Sequence, residues 1–396
     1  MFSPFLQPLV TVLAFSAGTA FSQDAVRPLV SRRVTEYLMP VTAQTHEVAR
    51  VPGTNFLLLS QMSNSQLVKI ELDPATEAPV AYQSFPMGES SQSGLHGVWP
   101  SAVQPGMMWL SLQSENKLLL VDPGDELSDS PLIIKTIDVP EPGNGPHSVF
   151  EIGNRVWAGL KVASEQTEEY YVFSADIDNP SDTILYPCLH SPVFIQEDPA
   201  TNFIYVTQDA ASAIMRIDTT TGETTQLPIP PSVGNNPVGM ITASGPLAGL
   251  WFVLAGNSTG GTGSFGRIVS TGELRFFQLK KPNLSNNTAL LHLADASTPG
   301  NPALWLLSTS LLSPNSPDAL IHVKFNEAIT DIVGEEYISM PTQNAMVHRV
   351  LTMEKTVMVS ELNTFSIAQL AYEGAVAGAW KPAGTAEEAV IYDEAS

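Results

Sequence analysis

The sequence predicts an all-β fold, a single ring of seven four-stranded blades closed by an N-terminal strand, and three observations carry that expectation. First, the stretch from 235 to 282 reads as one complete antiparallel unit: VGMITAS, a turn at Gly245 and Pro246, GLWFVLA, a Gly/Ser-rich turn, SFGRIVS, a Thr-Gly turn and ELRFFQL. Second, weaker copies of this unit recur at intervals of 45 to 59 residues, as the blades of a β-propeller do. Third, the last copy (HRVLTME, TVMVSEL, SIAQLAYE) lacks a fourth strand, while a spare strand, Val34 to Met39, precedes the first copy. Completing the last blade with that spare strand closes the ring and removes open sheet edges.

Each innermost strand is recognised by its first residue: His46, His96, His147, Val193, Val238, Ala289 and His348. The outermost strands are AYQSFPM, IIKTIDVP, TILYP, TTQLPIP, LRFFQL and EEYISMP, each a short loop before the next repeat position. Trp109, Trp157, Trp251 and Trp305 recur in second strands, where large rings pack between blades. The sequence therefore divides into residues 1–22, 23–373 (the propeller) and 374–396, an acidic, Ala-rich tail that breaks the pattern and reads as flexible.

The first segment carries an apolar run ending in small residues, with cleavage expected after Ala20 or Ser22; this is a secretory signal. Sequons at Asn257, Asn283 and Asn286 fall in loops and suit glycosylation in that pathway. No second apolar stretch is long enough to span a membrane. A single cysteine, Cys188, rules out an internal disulfide. Lys plus Arg total 18 against 40 Asp plus Glu, a net charge of -22, which repels phosphate backbones and excludes nucleic acid as a partner. The expected partner is a small molecule and the expected state a monomer.

The candidate chemistry lies at the repeat positions. Four of the seven histidines occupy them, His46, His96, His147 and His348, in blades one, two, three and seven. Ring closure makes those blades neighbours, so the imidazoles form an arc at a channel mouth, facing an apolar wall of Val193, Val238 and Ala289. One titratable wall opposite one greasy wall suits a small-molecule pocket. Second strands end at the same mouth with Gln61, Gln208 and Glu361, and with Gln113 one place off. Glu361 beside His348 would raise and orient the imidazole. Three readings fit the arc: hydrogen-bonded filling of a watery channel, one divalent metal held by some of His46, His96, His147, His348 and Glu361, or general acid–base catalysis. His292 and His322 fall outside the repeat positions and read as ordinary strand residues.

The complete unit also resembles the streptogramin B lyases (the virginiamycin B lyase family), whose blades repeat P-x-G-I, L-W-F, I-G-R-I, a Gly turn and a strand ending F-x-L. Pro237, Gly239, Leu250, Trp251, Phe252, Gly266, Arg267, Ile268, Gly272 and Phe277 match in order. The resemblance implies a seven-bladed propeller that opens a cyclic depsipeptide by elimination. In that family a His removes the proton α to the ester, and Mg²⁺ held by two Glu stabilises the enolate. Within PTQNAMVHRV, His348 matches the base and Glu361 the second magnesium ligand; Met346 stands where the first Glu belongs, and Val347 and Arg349 replace the family's Pro and Gly. The expected function is lyase-type elimination or cyclisation of a small, largely apolar metabolite resembling a lactone, depsipeptide or polyketide. His348 and Glu361 would be catalytic, and His46, His96, His147, Gln61 and Gln208 would bind substrate. A cyclase of pericyclic type that templates a reactive intermediate, and a non-enzymatic binding propeller, are the alternatives.

Overall fold

The computed structural model describes residues 27–31, 34–39, 44–256, 260–269, 272–280, 287–373 and 381–382. Seven antiparallel sheets follow one another around a central axis. Their innermost strands are Thr45–Arg50, Leu95–Pro100, Pro146–Ile152, Pro192–Glu197, Pro237–Ala243, Leu290–Asp295 and Val347–Thr352. The last blade takes its fourth strand from the N-terminal side: Val34–Leu38 pairs with Ser366–Glu373 in the register Val34 to Leu370 through Leu38 to Ser366. Two additions were not expected. Arg27–Ser31 forms a further strand outside Val34–Leu38, and Lys381–Pro382 pairs with Tyr372 and Glu373. The expected signal segment and all three sequon asparagines lie outside the described residues.

Every blade carries the same irregularity where its first strand begins. The register against the second strand slips between Thr45 and Val48, Leu95 and Val98, Pro146 and Ser148, Pro192 and Ile195, Pro237 and Met240, Leu290 and His292, and Val347 and Arg349. A bulge leaves its extra residue outside the ladder and re-aims the side chain. The residue so released is the repeat position.

This alignment corrects one repeat position. Blade six begins at Leu290, so its bulged residue is Leu291 rather than Ala289. The run ALLHLA offers an apolar residue at almost every place, and an apolar run does not specify a register. Ala289 is instead used before the strand, where its N–H donates to Ser316 Oγ and its carbonyl accepts from the Thr309 N–H.

Hydroxyls hold four of the bulges and tie each of them to the next blade. Ser60, Ser111, Thr207 and Ser360 accept the N–H of Glu47, Gly97, Phe194 and Arg349 at 3.1, 2.7, 3.0 and 3.1 Å. The same oxygens donate to the carbonyls of His96, His147, Val238 and His46 in the following blades. At the equivalent place in blade three stands Gly159, where an added Cβ would lie 2.6 Å from the Pro192 carbonyl oxygen. The backbones come too close there for any side chain.

The apolar core is divided among the gaps between blades. Trp251, Phe265, Phe277 and Phe325 pack together between blades five and six, with Trp251 buried completely. Met39, Leu57, Leu59, Met358 and Ile367 fill the gap between blades seven and one. Val34 belongs to the neighbouring gap, between blades six and seven, where its side chain is buried in one cluster with Ala368 and Leu370. Deleting residues 27–39 should therefore abolish a single cooperative melting transition, because it exposes both this core and the edge of Ser366–Glu373. A truncated chain that melts like the parent, followed by circular dichroism, would refute the closure.

Candidate functional site

The four bulged histidines meet, in the order His348, His46, His96, His147. Successive ring centroids are 3.7, 3.8 and 3.4 Å apart. The rings pack together at the strand-start end of the channel, and His96 is inaccessible to solvent. Val193, Val238 and Leu291 are buried apolar counterparts in the other blades. Burial lowers the basicity of all four imidazoles, since desolvation disfavours the charged form. At His46 the Glu47 carboxylate opposes this, while at His348 and His96 other rings and Arg349 reinforce it. The quartet is neutral at physiological pH.

Each Nδ1 faces an oxygen. His147 Nδ1 lies 3.0 Å from Gln113 Oε1 and His348 Nδ1 3.3 Å from the His46 carbonyl oxygen. His46 Nδ1 and His96 Nδ1 lie 3.8 and 4.0 Å from Glu47 Oε1, too far for hydrogen bonds. Neither of these Nδ1 atoms has a hydrogen-bond partner, and His96 Nε2 has none either.

Glu47 and Arg349 were not anticipated from the sequence. Each follows a bulged histidine, one in blade one and one in blade seven, so ring closure makes them neighbours. Arg349 donates from Nε and Nη2 to the two Glu47 oxygens and from Nη1 to the His348 carbonyl at 3.2 Å. Its guanidinium also lies 4.4 Å from the centre of the Phe194 ring. Burial by itself would push the Glu47 carboxyl up, but Arg349 and the facing His46 together outweigh it and hold the group down at about 2. The clue in the sequence was a pair of opposite charges at the same offset, HE and HR, on strands destined to be adjacent.

Beyond this pair the channel opens into a cavity of about 500 Å³. Trp99, Phe150, Phe194, Met240, Leu293 and Leu351 form its apolar wall, Glu47, Arg349 and His292 a polar corner, and Gln196, Thr242, Asp295 and Thr352 further polar lining. None of the four arc histidines lines it. His292 does, contrary to its reading as an ordinary strand residue; the two-residue shift of blade six puts it at the same offset as Glu47 and Arg349. Its Nδ1 accepts the Val350 N–H at 3.3 Å, and burial holds its pKa down at about 3. An imidazole that accepts through Nδ1 carries its proton on Nε2, so His292 is a neutral hydrogen-bond donor on its other side.

The remaining expected residues lie elsewhere. Glu361 ends its strand as expected, but its Oε2 accepts from the Thr364 and Ser366 hydroxyls at 2.7 and 2.9 Å. No hydrogen bond or ion pair joins it to His348. Burial, with Glu36 and Asp318 nearby, raises its pKa to about 8. Gln208 anchors a loop, accepting from the Leu189 N–H and donating to Gln226 Oε1. Gln61 is buried and accepts from Asn64 Nδ2 at 3.2 Å. The magnesium implied by the family resemblance does not fit this chain. Mg²⁺ takes hard oxygen ligands, yet Glu361 is a buried carboxylic acid turned to hydroxyls and Met346 offers no oxygen. Among the described residues, the one group of three possible metal ligands is His46, Glu47 and His348, whose ligand atoms lie within 4.8 Å of one another.

Glu361 makes stability depend on pH. In the folded chain it keeps its proton until about pH 8, whereas an unfolded Glu releases it near about 4.3. The folded state binds more protons between those values, so this contribution to stability is complete below the window and is lost as pH rises through it. Glu361→Gln mimics the protonated acid. It should match the parent's melting temperature below about pH 4 and exceed it at pH 8 by at least about 3 °C. Parallel melting profiles for the two proteins across that range would show that Glu361 is not the titrating group.

No protein-family model matches this sequence, and no curated protein matches it. Solved structures do share the fold. Virginiamycin B lyase from Staphylococcus aureus superimposes with a TM-score of 0.62 at 18% identity, covering 85% of this chain and 98% of that one. A catalytically inactive form of the same lyase with quinupristin gives 0.63 at 18% identity over the same coverage. YCF48 bound to D1 peptide gives 0.58 at 12% identity, covering 88% of this chain and 97% of that one. At such identities the likeness establishes a shared seven-bladed propeller architecture and leaves the chemistry to the residues of the channel.

Proposed function

We propose that this protein is a cyclase of small, largely apolar metabolites, enclosing a reactive intermediate in the central cavity and polarising one of its carbonyl groups. The observation that carries this reading is the composition of the cavity, an aromatic and aliphatic wall with one polar corner. Enclosure supplies proximity and orientation. Arg349 and the Nε2–H of His292, both on buried residues, supply donors toward developing negative charge on a carbonyl oxygen. The lyases that share the fold make elimination the competing chemistry. That route needs a base with a pKa near the working pH. His348 is packed in the histidine quartet outside the cavity, Glu47 is held at about 2, and His292 presents a donor.

Turnover of a panel of lactones, cyclic depsipeptides and polyene enones, followed by mass spectrometry and chiral chromatography, tests this. Ala294→Trp, which fills the cavity, should abolish cyclisation. His292→Phe should lower it by about 10- to 1,000-fold, while His348→Ala and Glu361→Gln should stay within about threefold of the parent. A loss of about 100-fold or more in His348→Ala, with ring-opened elimination products, would overturn the proposal in favour of proton abstraction. Ligand binding in the cavity without any turnover would leave a binding propeller.

The apolar run at the N-terminus leads us to assign this activity to the secretory pathway. Intact mass of protein exported by a eukaryotic host should show loss of residues 1–22 and glycan at Asn257, Asn283 or Asn286. A chain retaining Met1 and bearing no glycan would refute the assignment.

A further inference from the structure

We propose that His46, His348 and Glu47 form a binding site for a borderline divalent transition-metal ion of the Zn²⁺ type. The site adjoins the cavity proposed for the substrate and shares only Glu47 with it, and it does not depend on that function. Its three ligand atoms lie within 4.8 Å of one another, and His46 Nδ1 stands 3.8 Å from Glu47 Oε1. Tetrahedral zinc with bonds of 2.0–2.1 Å sets its ligands about 3.3 Å apart. Small side-chain rotations close that difference.

A second observation points to a missing partner at the same place. His46 Nδ1 is buried without a hydrogen bond, and His96, packed edge-on against His46 with ring centroids 3.8 Å apart, is fully buried with both nitrogens unpartnered. Buried polar atoms in native proteins are satisfied by protein, water or an ion, and imidazoles with one carboxylate are the donor set that borderline divalent ions prefer. His96 Nδ1, 4.0 Å from Glu47 Oε1, makes that side chain the nearest further ligand. The scaffold is rigid. Ser360 Oγ accepts the Arg349 N–H and donates to the His46 carbonyl at 2.7 Å, which fixes the backbone beside both ligating histidines across the seam between blades seven and one.

Arg349 shapes the site as well. It occupies both Glu47 oxygens, but a carboxylate oxygen has a second lone pair, so Glu47 can hold the guanidinium and ligate an ion at once. The positive charge of Arg349 opposes a second cation and makes the site weaker than a bare set of two histidines and a carboxylate.

The probe is the metal alone, added to the full mature chain after chelator treatment. Calorimetry with Zn²⁺ should give one ion per chain, and Co²⁺ should develop the visible absorption of a four-coordinate ion. Because ligation is linked to folding, Zn²⁺ should also raise the melting temperature of the parent. His46→Ala and His348→Ala should each weaken Zn²⁺ binding at least about 100-fold, whereas His190→Ala, outside the quartet, should leave it unchanged. X-ray absorption of the parent–Zn²⁺ complex should show two or more imidazoles, a readout that survives if either alanine variant fails to fold. Absence of stoichiometric Zn²⁺ uptake overturns the proposal. Binding that persists in both alanine variants, or a zinc shell without imidazole, does so too. Loss of cyclisation in cavity variants with Zn²⁺ binding intact would bear on the catalytic proposal alone.

Discussion

The structure depends on a hydroxyl that serves two blades at once. In blades one, two, four and seven, a Ser or Thr one residue before the end of the second strand accepts the N–H that the bulge takes out of the ladder and donates to a carbonyl of the next blade. A buried N–H left unpaired would cost about 1–3 kcal/mol, so the bulge is tolerable because the hydroxyl is there. The bulge in turn frees the repeat residue from the strand's alternation. The same interaction that joins the blades therefore determines what the channel contains.

At the seam between blades seven and one this device is joined by others. Glu77 accepts from the Glu354 and Lys355 N–H groups and from the Thr356 hydroxyl, and Thr45 Oγ1 donates to the Glu361 carbonyl at 2.6 Å. The Glu47–Arg349 pair spans the seam too. A buried ion pair does little for stability compared with apolar packing of the same shape. It does place a permanent charge pair beside an otherwise apolar space, a property that serves ligand orientation better than folding.

The channel is thus divided along its length. Four packed imidazoles stand at one end, Glu47 and Arg349 bridge the middle, and the far end is a cavity walled by aromatic and aliphatic side chains. Proteins with this architecture include lyases and a peptide-binding propeller, which is expected where strands fix a common frame and channel residues vary. In this chain the donor groups reach the cavity and the arc histidines do not. That arrangement separates the residues most conspicuous in the sequence from the space most suited to a substrate.

The sequence alone determined the blade count, the closing strand from Val34 and the adjacency of the four histidines, because each rests on period-two patterning and repeat spacing, which are local. It also contained the Glu47 and Arg349 charges in matching places without revealing that they pair. Only the tertiary structure decided the rest. The apolar run of blade six allowed a two-residue slip that hid His292 and misassigned Ala289, since hydrophobicity sets no register where every residue is apolar. Glu361 follows His348 by a strand pair, yet its carboxyl turns to Thr364 and Ser366, a choice made by side-chain rotamers and hydroxyls that no spacing encodes. The four imidazoles likewise pack ring against ring, and packing across a ring of blades is not a property of any single strand.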